Sequence, residues 1–328
     1  MMTSNAQTVL VTGAAGFIGS HVCEALLARG AKIVGVDNFD PFYDANVKAR
    51  NVAEVEKAAA EARGSFELVR ADICDADAMN ALFARSRPGG VIHLAAKAGV
   101  RPSIADPVGY SRANVLGTSV LLEAAKRAGV SRFVMASSSS VYGNNPRTPF
   151  AEDHDVSFPV SPYAATKRSC ELIAHAHWHL TRMPTACLRF FTVFGPRQRP
   201  DLAIANFLRL VSRGDEVPMY GDGASSRDYT YVDDVVRGVL ASYDRIGEHG
   251  YRIWNLGGSS PVPLAEMIAT IGRTVGREPR VRPMPVQPGD VERTWADLTR
   301  SAAELDYRPR TPFEEGVRRQ WDWLKAQP

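Results

Sequence analysis

Tyr163 and Lys167 stand four residues apart in Ser161-Pro162-Tyr163-Ala164-Ala165-Thr166-Lys167. Ser161 has the side-chain oxygen of a helix N-cap, and Pro162 has the fixed φ suited to a first helical position. The spacing therefore places phenol and ammonium on one face of a new helix. A phenolate beside a fixed cation is stabilised. Such a group is a base that can take the proton of a sugar hydroxyl while hydride leaves the same carbon. The pair alone recurs by chance in long helices. It gains weight from a glycine turn, Gly13-Ala14-Ala15-Gly16-Phe17-Ile18-Gly19, and from the run Ser137-Ser138-Ser139-Ser140-Val141-Tyr142-Gly143 between that turn and the pair.

The elements that must position these residues alternate. Short apolar runs at Val9 to Val11, Ile33 to Val36, Phe66 to Val69, Val91 to Leu94, Phe133 to Ala136 and Ala186 to Leu188 read as strands covered on both faces. Helical patterns lie between them, at Gly16 to Ala28, Ala45 to Ala62, Ala76 to Ala84, Val108 to Ala128 and Pro162 to Leu180. Alternation of this kind implies βαβ units and an α/β fold with a doubly wound parallel sheet of Rossmann type. Ala45 to Ala62, rich in Ala, Glu and Lys, reads as a solvated helix. After Phe190, Pro and Gly become frequent and the spacing turns irregular.

The expected organisation is an NAD-binding domain over 1–189, with 228–256 returning to it as one more helix and strand. A smaller C-terminal α/β substrate-binding domain is expected from 190–227 and 257–328. Thr311-Pro312-Phe313-Glu314 has the pattern of a capping box opening a last helix.

The glycine turn follows the first strand and enters the first helix, the context a dinucleotide site needs, although its spacing is Gly-x-x-Gly-x-x-Gly. The first glycine permits the turn, the second lets the backbone approach a pyrophosphate, and the third lets helix and strand pack closely. The helix N-terminus, with Phe17 and Ile18 in its first turn, attracts the phosphates. Asp37, followed by Asn38, ends the second strand, where a carboxylate accepts from an adenosine ribose and repels a 2′-phosphate. NAD is thus the expected cofactor, not NADP. Asp72 and Ile73, after the third strand, suit the adenine, and Leu94, Ala95 and Ala96 leave room at the end of the fourth. His93 reads as a packed strand residue.

The bulk properties exclude several classes. The 328-residue chain has a net charge of +3, which points to neither nucleic acid nor a membrane surface. A hydrophobic content of 45% with 23% charged residues is that of a soluble globular protein. No apolar run has the length of a bilayer span, and no secretory leader is read before Thr8. The cysteines, Cys23, Cys74, Cys170 and Cys187, lack metal or redox spacing and are expected to be reduced thiols in a cytoplasmic protein. His175, His177 and His179 alternate on a helix and are expected to be interfacial or solvated, with no third ligand to make a metal site.

Together, the glycine turn, the serine run before Val141-Tyr142-Gly143, the Tyr163/Lys167 pair, Leu188-Arg189-Phe190-Phe191-Thr192-Val193-Phe194-Gly195-Pro196 and Arg227-Asp228-Tyr229-Thr230-Tyr231-Val232-Asp233-Asp234 resemble the extended short-chain dehydrogenase/reductase family, in its nucleotide-sugar epimerase branch. The resemblance spans essentially the whole chain. It implies Ser138 as hydroxyl partner, Tyr163 as base, and Lys167 as its electrostatic support and a ligand of the nicotinamide ribose. Phe190 would line the cofactor pocket. Asn206, Arg227 and Asp290 would hold a UDP group, with Arg227 on the diphosphate. A homodimer through the outer faces of the Val108–Ala128 and Pro162–Leu180 helices is implied as well.

Dehydratases of the branch carry Thr-Asp-Glu before Val-Tyr-Gly, and UDP-glucuronate decarboxylases carry Thr-Ser-Glu. Here those positions are Ser138, Ser139 and Ser140. Without an acid to move a second proton, epimerisation at carbon 4 through a 4-keto sugar is the expected reaction. The segments Asp37 to Asp44, Ala98 to Ser103, Pro196 to Asp201 and Gln287 to Val291 are most similar to the UDP-glucuronate 4-epimerases. A uronate carboxylate needs a cation and hydroxyls, and Arg199, Thr192, Ser139 and Ser140 are the candidates. Thr294, where some UDP-galactose epimerases carry Tyr, implies a roomier pocket. UDP-glucose or UDP-N-acetylglucosamine epimerisation, decarboxylation, and a non-catalytic NAD-binding sensor remain the alternatives.

Overall fold

The computed structural model describes residues 7–285 and 291–327. Asp290 lies outside them. Twelve strands are described: β1 Thr8–Thr12, β2 Lys32–Asp37, β3 Ser65–Arg70, β4 Gly90–His93, β5 Phe133–Ser138, β6 Thr185–Phe190, β7 Thr192–Phe194, β8 Glu216–Tyr220, β9 Ser226–Tyr231, β10 Tyr251–Leu256, β11 Pro261–Pro263 and β12 Arg280–Met284. Seven form one sheet in the order β3-β2-β1-β4-β5-β6-β10. Every pairing in it is parallel. The order reverses direction between β1 and β4, and a ligand crevice opens at the carboxyl ends of the strands at such a switch point.

Each parallel strand needs a crossover, and the crossovers cover both faces of the sheet. On one face, Val22 and Leu26 of helix Phe17–Ala28 share a hydrophobic cluster with Val235 and Val239 of helix Val232–His249. On the other, Met79, Leu121 and Cys170 join helices Ala76–Ser86, Gly117–Arg127 and Pro162–Thr181. β7, β9 and β11 form a small sheet, and β8 pairs with β12. The helices beside them, Ala203–Arg213, Leu264–Val275 and Phe313–Lys325, send Phe207, Met267 and Val317 into the first cluster.

Four local expectations are corrected. β3 is the sheet's edge and only half-buried, so it is not covered on both faces. Helix Ala45–Glu61 is not simply solvated, because Lys48, Asn51, Val52 and Val55 are buried. The stretch expected as one helix over 108–128 widens into a π-helical turn at Ser111–Leu116. There Asn114 turns inward: its amide donates to the Lys97 carbonyl and to Thr166 Oγ1, both at 3.0 Å, and its oxygen accepts from the Lys97 N–H. Finally, the capping box at Thr311 does not form. Helix Phe313–Lys325 starts after Pro312 with no side-chain cap, and the Thr311 N–H donates to Asp234 instead.

Candidate functional site

The glycine turn follows from β1 ending one residue before it. Gly13 has φ +71°, and a Cβ there would stand 2.8 Å from the Ala95 nitrogen. A side chain at Gly19 would collide with the Gly13 carbonyl, so helix and turn touch backbone to backbone. Asn51, on the helix misread as solvated, donates its amide to the Ala15 carbonyl at 3.0 Å and braces the turn from outside.

Asp37, at the end of β2, accepts from the Phe39 N–H at 2.8 Å and from the buried ammonium of Lys48 at 2.9 Å. The glycine turn, the open N-terminus of helix Phe17–Ala28 and this carboxylate lie at one end of a cavity of about 490 Å³. Its wall there includes Phe17, Ile18, Asn38, Asp72 and Ile73, and further along Leu94, Ala95 and Ala96. These groups fit a dinucleotide: backbone N–H groups for the pyrophosphate and a carboxylate for a ribose.

Tyr163, Lys167 and Ser138 line the other end of the same cavity, with Phe190 and Thr192. Ser161 caps the helix, its Oγ accepting from the Ala164 N–H at 3.1 Å, and Pro162 occupies the first turn. Ser103 Oγ accepts from the Tyr163 N–H at 3.1 Å, and the Tyr110 ring packs edge-on at 6.2 Å. Lys167 is buried, its ammonium donating to the Ala136 carbonyl of β5 at 2.7 Å. Ser138 ends β5, and its Oγ sits 3.1 Å from Ser140 Oγ.

Ser137 is occupied elsewhere. Its hydroxyl donates to Glu171 at 2.7 Å, and Arg189 of β6 grips the same carboxylate through Nε at 2.8 Å and Nη2 at 3.0 Å. Burial pushes the Glu171 carboxyl up, but Arg189, Ser137 and Arg168 more than offset this and hold it below the usual range. Residues 163, 167 and 171 thus share one helical face, the first two directed to the cavity and the third to a buried ion pair.

His93 is the packed strand residue expected. It lies between Thr12 Oγ1 at 2.7 Å and Thr118 Oγ1 at 3.1 Å, and burial with the nearby Lys167 charge lowers its pKa to about 3. His177, expected at an interface or in solvent, is buried, and His175 packs on Tyr251 and Trp178. Cys23, Cys170 and Cys187 are buried and Cys74 half-buried, all as free thiols.

The sugar-nucleotide side is less assembled. Thr192 and Arg199 line the cavity, whereas Ser139, Ser140, Asn206 and Arg227 do not. Ser139 and Ser140 lie half-buried on the short 3₁₀ turn that follows Ser138. Arg227 donates to the carbonyls of Ser226 and Glu292. Thr294 is buried away from the cavity wall, its hydroxyl accepting from the Asp228 N–H at 3.0 Å.

Arg199 is already engaged. It meets Asp201 through Nε at 3.0 Å and Nη2 at 2.7 Å, donates to the Ala98 carbonyl, and lies over the Phe42 ring. Its neighbour Arg197 turns the other way, into helix Phe17–Ala28, where it meets Glu24 at 2.6 Å. Sequence reasoning missed Asn51, Lys48, Asn114, Ser103 and the Glu171–Arg189 pair. For Lys48 and Asn51 there was a signal: i and i+3 polar positions on a helix whose neighbours Val52 and Val55 mark the buried face.

A seven-stranded parallel sheet with a glycine turn, a strand-end carboxylate and a Tyr/Lys pair on one cavity defines a nucleotide-binding enzyme of the extended short-chain dehydrogenase/reductase class. The chain belongs to the family described as GDP-mannose 4,6 dehydratase, whose model matches residues 10–320. Among relatives, it is 39% identical over 318 residues to a UDP-glucuronate 4-epimerase of Thermodesulfobacterium geofontis, covering 96% of this chain and 95% of that one. Among solved structures it is similar to a UDP-glucuronic acid 4-epimerase from Bacillus cereus in complex with UDP-glucuronic acid and NAD, at 34% identity and TM-score 0.89 over 97% of this chain and 99% of the other. A UDP-glucose 4-epimerase from Thermotoga maritima, with UDP-glucose, matches at 30% identity and TM-score 0.87 over 97% and 98% of the two chains.

Proposed function

We propose that this protein is an NAD-dependent isomerase that inverts carbon 4 of a UDP-sugar, converting UDP-glucuronate to UDP-galacturonate. One observation carries the reading: Tyr163, Lys167 and Ser138 open onto the same cavity as the glycine turn and Asp37. Among the described residues, the carboxylates on its wall are Asp37, Asp40 and Asp72, and none comes from the serine turn or the Tyr163 helix. A dehydratase or decarboxylase acid is therefore lacking where the family name would require one. Relatives in the same family carry out epimerisation, by their names.

NAD, which the glycine turn, Asp37 and Lys167 would hold, would supply the hydride-accepting and hydride-donating chemistry. Tyr163 takes the proton of the hydroxyl on carbon 4 and gives it back at the end. Lys167, fixed to the Ala136 carbonyl on the same helical face as Tyr163, would support the phenol electrostatically and bind the nicotinamide ribose. Ser138 holds the sugar oxygen. The 4-keto sugar turns over between the two hydride transfers, and no net oxidation results. Asn206, Arg227 and Asp290 hold the UDP.

The ketone next to a uronate carboxyl makes a β-keto acid, which loses carbon dioxide when the carboxyl bond aligns with the carbonyl π system. Thr192, Ser139, Ser140 and Arg199 form the clamp that keeps the bond out of alignment, with Arg199 exchanging part of its grip on Asp201 for the substrate. That existing grip also supports a second reading, UDP-glucose as substrate, which needs no such cation.

The division into an NAD-binding part, 1–189 with 228–256, and a UDP-sugar part, 190–227 with 257–328, is proposed on the same grounds. So is a two-fold homodimer, supported by exposed Leu116, Leu172 and Leu180 on the outer faces of the two long helical stretches. A cytoplasmic setting is supported by the unpaired thiols. Among the described residues no helix is long and apolar enough to cross a membrane. The test is incubation of the purified protein with UDP-glucuronate, followed by proton NMR of the sugar and capture of carbon dioxide. A galacturonate signal without gas is expected; a xylose signal with gas overturns the epimerase reading.

A further inference from the structure

Behind the catalytic cavity lies a second one, of about 290 Å³. It is walled by helix Ala45–Glu61, the loop after β7, helix Ala203–Arg213 and the last helix, Phe313–Lys325. Arg50, Arg209, Arg213 and Lys325 line it, and no Asp or Glu does among the described residues. Lys325 is paired with Asp322 at 3.0 Å, whereas none of the three arginines has an ion-pair partner among the described residues. Arg209 is half-buried, with one donor spent on the Pro200 carbonyl at 3.3 Å. Its own burial, with the neighbouring charges of Arg213 and Arg50, holds its pKa below the usual arginine value.

Three guanidiniums on one cavity, with no Asp or Glu among the described residues of its wall, repel one another, and that arrangement is costly unless an anion offsets it. Guanidiniums also match the oxygens of phosphate in paired hydrogen bonds. We propose that this cavity binds a multiply charged phosphate-class oxyanion through Arg50, Arg209 and Arg213. The site is separate from the catalytic cavity but shares its walls. Val47 and Arg50 face it while Lys48, between them, holds Asp37. Gln198 and Pro200 face it while Arg199, between them, lines the catalytic side. A bound oxyanion ties the cofactor-side helix Ala45–Glu61 to helix Ala203–Arg213, whose Arg209 also holds the Pro200 carbonyl of the Arg199 loop, and so steadies both ends of the catalytic cavity.

The test uses the whole protein saturated with NAD and UDP, so that pyrophosphate groups already fill the catalytic cavity. Inorganic pyrophosphate is titrated by calorimetry against chloride at matched ionic strength. Saturable binding at one site is expected, weakened at least tenfold in Arg209→Met/Arg213→Met. Arg50→Gln, an exposed change with little risk to folding, is expected to weaken it about threefold, and Arg127→Gln, on the opposite face of the sheet, to leave it unchanged. Equal affinity in the wild type and Arg50→Gln, or no signal beyond chloride, overturns the proposal. The reading of the catalytic cavity stands or falls separately, by the NMR assay.

Discussion

The two ends of the catalytic cavity are built by different means. At the cofactor end, position comes from backbone: a strand stops, a glycine turns, a helix begins, and a Cβ at Gly13 or Gly19 would not fit. At the sugar end, position comes from side chains borrowed from distant segments. Arg199 is held by Asp201, the Ala98 carbonyl and the Phe42 ring. A backbone site can only be made or broken, whereas a side-chain site can be retuned by exchanging one residue. The contrast explains how relatives bearing the names of different sugars keep one fold.

The sharpest way to break the comparison is at the residue that joins the two ends. Tyr163→Phe removes one oxygen and leaves the ring against Tyr110. It is expected to lower kcat by roughly 10²–10⁴, the usual worth of a positioned acid–base group. NAD affinity, measured by calorimetry, is expected to stay within a few-fold. Near-normal turnover would remove Tyr163 from the chemistry.

Beneath the pair, the ion pair that fixes the helix to the sheet offers the next test. Glu171 and Arg189 are almost fully buried. Arg189→Met leaves the buried Glu171 carboxylate with only Ser137 and the half-buried Arg168 as partners and is expected to cost about 3–5 kcal/mol in urea unfolding. Glu171→Leu/Arg189→Met removes both charges and should recover much of that loss. If the double variant is as unstable as the single, the pair acts through packing, not charge.

Acid should loosen both ends together, through two histidines held neutral. His93 lies at the end of β4, and His21 donates to the Pro196 carbonyl of the Arg199 loop at 3.0 Å. Burial and the Arg197 charge lower the pKa of His21 to about 4, and burial with Lys167 lowers that of His93 to about 3. Both lie below the unfolded value of 6.5. Between about pH 4 and 6.5 the unfolded chain therefore binds more protons than the native one, so stability rises with pH there and is lost as pH falls. Each histidine contributes a slope of up to about 1.4 kcal/mol per pH unit. His93→Asn should remove one such increment from the acid limb of a denaturation series. An unchanged limb would mean that His93 is already charged when folded.

The same contrast governs how much could be read from the chain. The sheet, the glycine turn, Asp37 and the Ser161 cap were legible because each is dictated by residues adjacent in sequence. Lys48 on Asp37, Asn114 on Lys97 and Arg189 on Glu171 were not, since each joins residues 11 to 18 positions apart in sequence on different elements, and only folding shows which polar group faces inward. The capping box failed for a related reason. Its local pattern was sound, but Asp234, 77 positions away, took the Thr311 N–H first. Where backbone decides, sequence suffices; where a distant partner decides, local pattern misleads.

The smallest expected effect is at the sugar end, and it asks whether that end is tuned by side chains at all. Arg199→Ala removes a guanidinium that touches Asp201, Ala98 and Phe42 but leaves β7 and the loop's anchor through Arg197 and Glu24 intact. Folding should therefore be preserved. If Arg199 steadies a uronate carboxylate, kcat/KM for UDP-glucuronate should fall about tenfold, roughly 1.4 kcal/mol of transition-state binding, while any turnover of UDP-glucose changes little. Part of the keto intermediate should also escape as carbon dioxide and a UDP-4-ketopentose. If both sugars lose equally, with no gas, the guanidinium serves only to hold the loop, and the selectivity must be carried by the hydroxyls of Thr192, Ser139 and Ser140.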